Sequence, residues 1–409
     1  MPATQLFPTA LPTASPRLLI MQGARAIPIP SGTAELVSRQ ELETCATWKS
    51  VFARQVKDYR YYEIIERTLE GGFEYHYLLL KNTSGVIRAI QPLFFVQQNL
   101  IEGLRGKLRS LVDVIRKKFP RFLTMRVLMV GCAAGEGHLG SCSPEDERWV
   151  SEALHASLET FARREKASLV VLKDFPSQYR ETLKTFSGNG YTRVPSMPVT
   201  RLQLNYANFD EYLATLGKAT RKNLRRKFRD AERAPKIEVE VVTDIAPCID
   251  EAYPLYLQVH ERSRLKFETL TKDYFCSLGR LMPERTRFFI WRQTGKIIAF
   301  GLCLVHGDTI YDECLGLDYN VALDLHLYFY TIRDVISWAI ANGFKQYCSS
   351  PLNYDPKLHL GCDLVPLDLY VRHTASFINP IFGRAVKFLE PTRHDPVLRQ
   401  FHNADAMLN

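Results

Sequence analysis

Residues 286–317 read Thr286-Arg-Phe-Phe-Ile-Trp-Arg-Gln293, Thr294-Gly295, Lys296-Ile-Ile-Ala-Phe-Gly-Leu-Cys-Leu-Val305, His306-Gly-Asp308 and Thr309-Ile-Tyr-Asp-Glu-Cys-Leu-Gly-Leu317. Aromatic and β-branched residues fill three runs, and a glycine-containing turn separates each from the next. That pattern predicts three consecutive antiparallel strands. Upstream, Ile237–Val242 alternates as a strand, and 249–264 and 272–281 carry helical spacing. Downstream, Tyr328, Ile332, Val335, Ile336, Ala339 and Ile340 share one face of a helix over 327–341 that Asn342-Gly343 stops. Residues 345–348 and 367–372 are strand-like.

The same order occurs earlier in the chain. A helical pattern from Trp48 (Val51, Phe52, Val56, Tyr62, Ile65) precedes two strand-like runs, 75–80 and 87–96, that flank Asn82-Thr-Ser-Gly85. A basic amphipathic stretch follows over 100–118. Next come the strand Val127–Val130 and the segment Gly131-Cys-Ala-Ala-Gly135-Glu-Gly137-His-Leu-Gly140. Ser143 and Pro144 then start a helix with Leu154, Leu158 and Phe161 on its apolar face. Residues 169–172 and 199–204 read as strands, and 179–186 as a short helix.

At 409 residues the chain exceeds what one core usually supports, so two domains are expected. With 46% hydrophobic and 24% charged residues it has the composition of a soluble globular protein. No apolar run is long enough to span a bilayer and no signal-peptide core is evident, so a cytoplasmic location is expected. The nine cysteines lack zinc-finger spacing, and no metal is expected. A formal charge of +9 favours an anionic partner without choosing among coenzyme A, tRNA, a phospholipid surface or an anionic glycan.

Strand, two helices, three antiparallel strands, helix, strand, short helix, strand is an order that resembles the GNAT acyltransferase fold. Residues 218–372 are similar to the acetyltransferase domain of the FemAB-like, BioF-like group. The resemblance rests on the basic opening 218–229, on Gly295-Lys-Ile-Ile-Ala-Phe-Gly301, and on Tyr354, Lys357 and Gly361. Residues 48–205 resemble a more degenerate copy. The fold class expected is thus mixed α/β, with two tandem GNAT-like domains whose sheets are largely antiparallel. The boundaries expected are a flexible or draped arm over 1–44, a degenerate domain over 45–205, an acyltransferase domain over 206–373, and a docking tail over 374–409.

The resemblance implies an N-acyltransferase acting on a small-molecule amine or a cell-envelope precursor. Acyl-CoA or an acyl-carrier protein would be the donor. The alternatives are aminoacyl-tRNA-dependent transfer and a non-catalytic protein that binds an anionic ligand. It also implies that the backbone of Leu315, Gly316 and Leu317 faces the acyl donor. The usual glycine-containing phosphate loop before the following helix is replaced by Asp318-Tyr-Asn-Val-Ala-Leu-Asp-Leu325. The first domain keeps glycines at Gly135, Gly137 and Gly140, but three acids at the next helix start would repel phosphate, which favours a structural loop.

Asp312 and Glu313 are adjacent on the strand expected to line the cleft, so only one can face it; either is a candidate base. His260 is a further acid or base candidate, beside Glu261 at the end of its helix. Tyr354 and Lys357 are candidates for the leaving group or an anionic acceptor. Residues 218–229 hold seven Lys or Arg in twelve, with Leu224 and Phe228 as the large apolar positions. That is a helix docked by a narrow stripe. Its Arg221, Lys222, Arg225 and Arg226 are either solvated or bind phosphates. In the tail, Asn379-Pro380 starts a helix whose Ile381, Phe382, Ala385, Val386 and Leu389 are expected to pack on the protein, or else on an anionic membrane.

Overall fold

The computed structural model describes residues 25–69, 72–99, 124–233, 235–263, 266–388 and 390–408. Thirteen strands among them join in one mixed sheet. β1 (Ala26–Ile29), β2 (Gly32–Val37), β3 (Glu74–Asn82), β4 (Ile87–Asn99) and β5 (Thr124–Val130) form an antiparallel meander. β6 (Leu169–Pro176) then runs parallel to β5. From the other edge, β8 (Ile237–Val242), β9 (Thr286–Gln293), β10 (Lys296–His306) and β11 (Thr309–Leu317) repeat the meander, and β12 (Gln346–Ser349) runs parallel to β11.

The join is an exchange. β7 (Thr192–Gln203) follows β6 in the chain but pairs with β12, and β13 (Asp363–His373) follows β12 but pairs with β6. β7 and β13 also pair with each other, which fuses the two meanders. Each half therefore closes only with a strand of the other.

The expected arm needs correction: within 1–44, residues 1–24 lie outside the described residues, while Ala26–Val37 form the hairpin β1–β2 at the sheet edge. Pro28 lies on that edge strand, where a missing N–H costs no ladder bond. The helix expected over 179–186 is instead a 3₁₀ turn, Ser177–Tyr179, followed by the short helix Lys184–Gly188. The basic stretch 100–118 lies outside the described residues.

One face of the sheet is shared by both halves. Trp48, Tyr61 and Phe94 of the first pack in the same apolar cluster as Tyr274, Phe275 and Phe300 of the second. The helices Tyr59–Thr68, Ile249–Arg262 and Lys272–Leu281 cover this face. The opposite face is divided: Glu147–Arg164 covers the first half, and Lys218–Glu232 and Leu327–Ala341 cover the second. In Leu327–Ala341, Ile332, Val335, Ile336 and Ala339 are buried at spacings of three and four, and Gly343 at φ 80° follows the helix end.

The tail helix Asn379–Phe388 is anchored by only part of the stripe expected of it, with Phe382 packed against the shared apolar cluster. The Asn379 side chain bonds the His373 amide and the Gly190 carbonyl, and Phe382 packs on the His373 ring. Ile381 is 69% exposed and Ala385 is exposed too; Leu389 lies outside the described residues. None of the described helices is long and apolar enough to cross a membrane.

Candidate active site

β11 runs beside β12 only from Thr309 to Asp312, opposite Gln346 to Ser349. The Ser350 amide still donates to the Asp312 carbonyl at 3.0 Å. The chain then leaves through Leu352 and Asn353, which hold left-handed φ values of 75° and 50°. Buried Lys357 pins that turn, its Nζ donating to the carbonyls of Ser350 and Leu352. Beyond Asp312, β11 thus has β10 on one side and no strand on the other. Because the Asp318 amide donates to the Ile298 carbonyl of β10 at 2.9 Å, alternation turns the N–H and C=O groups of Leu315 and Leu317 toward the opening. Across the opening, residues 192–199 of β7 are paired only with β13, and there the strand accommodates Pro195 and Pro198.

A β-bulge sits where the opening begins. Leu302 pairs with Cys314 and Cys303 with Asp312, which leaves Glu313 as the extra residue. Asp312 and Glu313 face opposite sides. Asp312 accepts from the Tyr347 hydroxyl at 2.7 Å, and burial raises its pKa. Glu313 points into the face shared by the two halves, where Lys57 Nζ lies 2.9 Å from its Oε2 and 3.0 Å from Glu136 Oε2. Lys57 comes just before the helix Tyr59–Thr68, and Glu136 from the glycine-rich segment, so the first half supplies both partners.

One buried ammonium between two carboxylates leaves one negative charge in excess. Burial alone would lower the Lys57 pKa, but Glu136 and Glu313 raise it well above the usual lysine value. Burial opposes ionisation of Glu136, yet Lys57 holds it at about 2. Glu313 is raised, because burial and the Glu136 charge outweigh the pull of Lys57. A raised pKa suits Glu313 to take up a proton. Beneath it, the Tyr61 hydroxyl donates to the Ala134 carbonyl at 2.7 Å and lies 3.0 Å from the Tyr274 hydroxyl, linking the halves again.

The structure does not bring the other candidates to this point. His260 stacks on Tyr256, its Nε2 is 3.1 Å from Thr269 Oγ1, and burial followed by Lys266 lowers its pKa. The Tyr354 hydroxyl is spent on the Pro198 carbonyl at 2.8 Å in a buried site, so it is a strut. Lys357, which burial lowers to about 8, borders the opening through the turn it holds. Arg221 bonds the carbonyls of Ala214 and Leu216, while Lys222, Arg225 and Arg226 are exposed on a helix docked by Leu224 and Phe228.

The glycine-rich segment is packed shut. A Cβ on Gly137 would lie 2.3 Å from the Lys173 carbonyl oxygen, and one on Gly135 2.9 Å from Lys57 Nζ. Its glycines serve close packing and give room to Lys57. In the second half, Asp318 anchors the replacement loop by accepting from Lys296 Nζ at 2.8 Å and from the Asn320 side chain at 2.7 Å. Sequence reasoning missed Lys57 and Glu136. Glu136 lies between two glycines of a conspicuous run, whereas nothing local marks Lys57.

Two fused meanders, each with one parallel junction, and a bulged strand at the open one define a tandem acyltransferase-fold protein. A FemAB-like profile, described as peptidoglycan biosynthesis/recognition, matches residues 126–349. The chain belongs to that family. It is also 23% identical over 269 residues to a Mycobacterium tuberculosis protein provisionally named 8-amino-7-oxononanoate synthase 2, covering 64% of this chain and 34% of that one. The chain thus spans about a third of the curated relatives it matches. Among solved structures, FemX is similar with a TM-score of 0.50 at 12% identity, over 82% of this chain and 96% of that one. A tandem GNAT protein from the clavulanic acid biosynthesis pathway matches with a TM-score of 0.47 at 11% identity, over 84% and 99%.

Proposed function

We propose that the chain transfers an acyl or aminoacyl group from a carrier to an amine at the opening beside β11. The observation that carries this reading is Glu313: a bulge turns it into the interior shared by both halves, at the place where β11 loses its neighbour. The acyl arm lies along Leu315–Leu317, whose inward N–H groups bind the carbonyl oxygen as it becomes an oxyanion. The amine approaches from the shared face and gives a proton to Glu313. The C–N bond forms, the bond from the carbonyl carbon to the carrier breaks, and the leaving sulfur or oxygen takes a proton from water, whose hydroxide is neutralised by the proton that Glu313 then releases.

The family description supports a cell-envelope precursor as the acceptor. For the donor, the loop anchored by Asp318 offers no glycine cradle for pyrophosphate. That favours an acyl-carrier protein or aminoacyl-tRNA over acyl-CoA.

The test is mass spectrometry of envelope-precursor amines incubated with the protein and, in turn, acetyl-CoA, acyl-carrier protein and aminoacyl-tRNA. Glu313→Gln is expected to lower turnover by roughly 10²-fold or more, the scale for a lost general base. Full activity in that variant would remove Glu313 from the chemistry.

A further inference from the structure

Among the described residues, Arg201 on β7 lacks the counter-ion that a half-buried guanidinium calls for. Its Nε is buried without a hydrogen-bond partner, and no carboxylate among the described residues forms an ion pair with it. Asp363 stands opposite it on β13, yet that carboxylate lies 3.4 Å from His402 Nε2. A charge held this way is costly unless something else meets it.

Its position points to what that is. Arg201 pairs across the sheet with Cys348, and Cys348 with Tyr311, so the three share a face, and Glu313 emerges on it two residues beyond Tyr311. Arg201, Glu136 and Glu313 all act on the Cys348 thiol, which burial pushes up to about 12. Two strand spacings of about 4.8 Å and a two-residue step of about 6.6 Å place the α-carbons of Arg201 and Glu313 roughly 12 Å apart. Glu136 and Glu313 keep 23% and 16% of their side-chain surface in contact with solvent, so this face is reached from outside.

We propose that Arg201 binds an oxyanion, carboxylate or phosphate, carried by the same acceptor whose amine meets Glu313. The substrate class is then an amine with an oxyanion several bonds away. A guanidinium suits either oxyanion, because its planar fork donates two parallel N–H···O bonds. The amine half of this proposal rests on the transfer reading above, and the anion half does not.

The experiment is calorimetric titration of the full chain with hexylamine, 6-aminohexanoate and 4-aminobutyl phosphate. One of the two anionic amines should bind about tenfold more tightly than hexylamine, and which one identifies the oxyanion. Arg201→Gln should abolish that advantage and leave hexylamine binding unchanged, and Arg201→Lys should restore part of it. Equal binding of all three probes to the wild type, or an advantage that survives Arg201→Gln, would overturn the proposal. Should Arg201→Gln fail to fold, the wild-type ranking of the probes decides alone. Failure of the transfer reading looks different: Glu313→Gln would keep its turnover while the Arg201-dependent binding persisted.

Discussion

The two parallel junctions of the sheet share a topology and differ in how the chain continues beyond them. In the first half, β5 ends at Val130 and the next ten residues fold back as a seal: the Gly140 carbonyl accepts from the Ile90 amide at 2.9 Å, and the Gly140 amide donates to Gln91 Oε1 at 2.9 Å. In the second half, β11 continues beyond its last partner, and its backbone faces an opening. The helix after the first junction is preceded or opened by Glu145, Asp146 and Glu147, which disfavour an anion there, whereas Leu327–Ala341 has no acid in its first turn. A repeated fold can thus specialise. One copy is open at its parallel junction, and the other is sealed at its own and supplies Lys57 and Glu136 to its neighbour.

Disrupting the seal is expected to have the greatest effect on stability. A Cβ on Gly140 would lie 2.0 Å from the Ile90 carbonyl oxygen, a backbone atom that cannot give way. Gly140→Ala is expected to cost roughly 3 kcal/mol or more, read as a lower melting temperature. An unchanged melting temperature would mean that the first junction is not packed shut.

A smaller effect sharpens the division of labour. Lys57→Met removes the ammonium paired with Glu313 and leaves burial and Glu136 to raise its pKa further. Since the base works only when ionised, turnover falls as pH drops through that pKa, and the acid limb of the pH–rate profile should move to higher pH. Activity near neutrality should drop about tenfold, and adding Glu136→Gln should recover part of it. A profile that does not move would detach Lys57 from the reacting group.

Much of the fold was legible because it is local. The runs 286–293, 296–305 and 309–317 carry their strand character in β-branched and aromatic residues, and the limits of the helix 327–341 follow from periodicity and Asn342-Gly343. The strand exchange was not legible. β7 and β13 read as strands, but pairing between residues such as Val365 and Val199 leaves no mark in either segment. The site divides the same way. Alternation correctly set Asp312 and Glu313 on opposite faces, while Lys57 and Glu136 join Glu313 only through tertiary contacts and Arg201 shares its face only through strand pairing. The tail shows the limit of periodicity: of a stripe at helical spacing, Phe382 packs on the protein while Ile381 stays exposed.

Residue-resolved amide hydrogen exchange on the full chain tests most directly the claim that only the second junction is open. Leu315 and Leu317 should exchange orders of magnitude faster than Leu128 and Val130, which lie where β5 is paired with both β4 and β6. Slow exchange at Leu315 and Leu317, matching that of Leu128 and Val130, would mean that β11 has no free edge to receive an acyl group and would contradict the account.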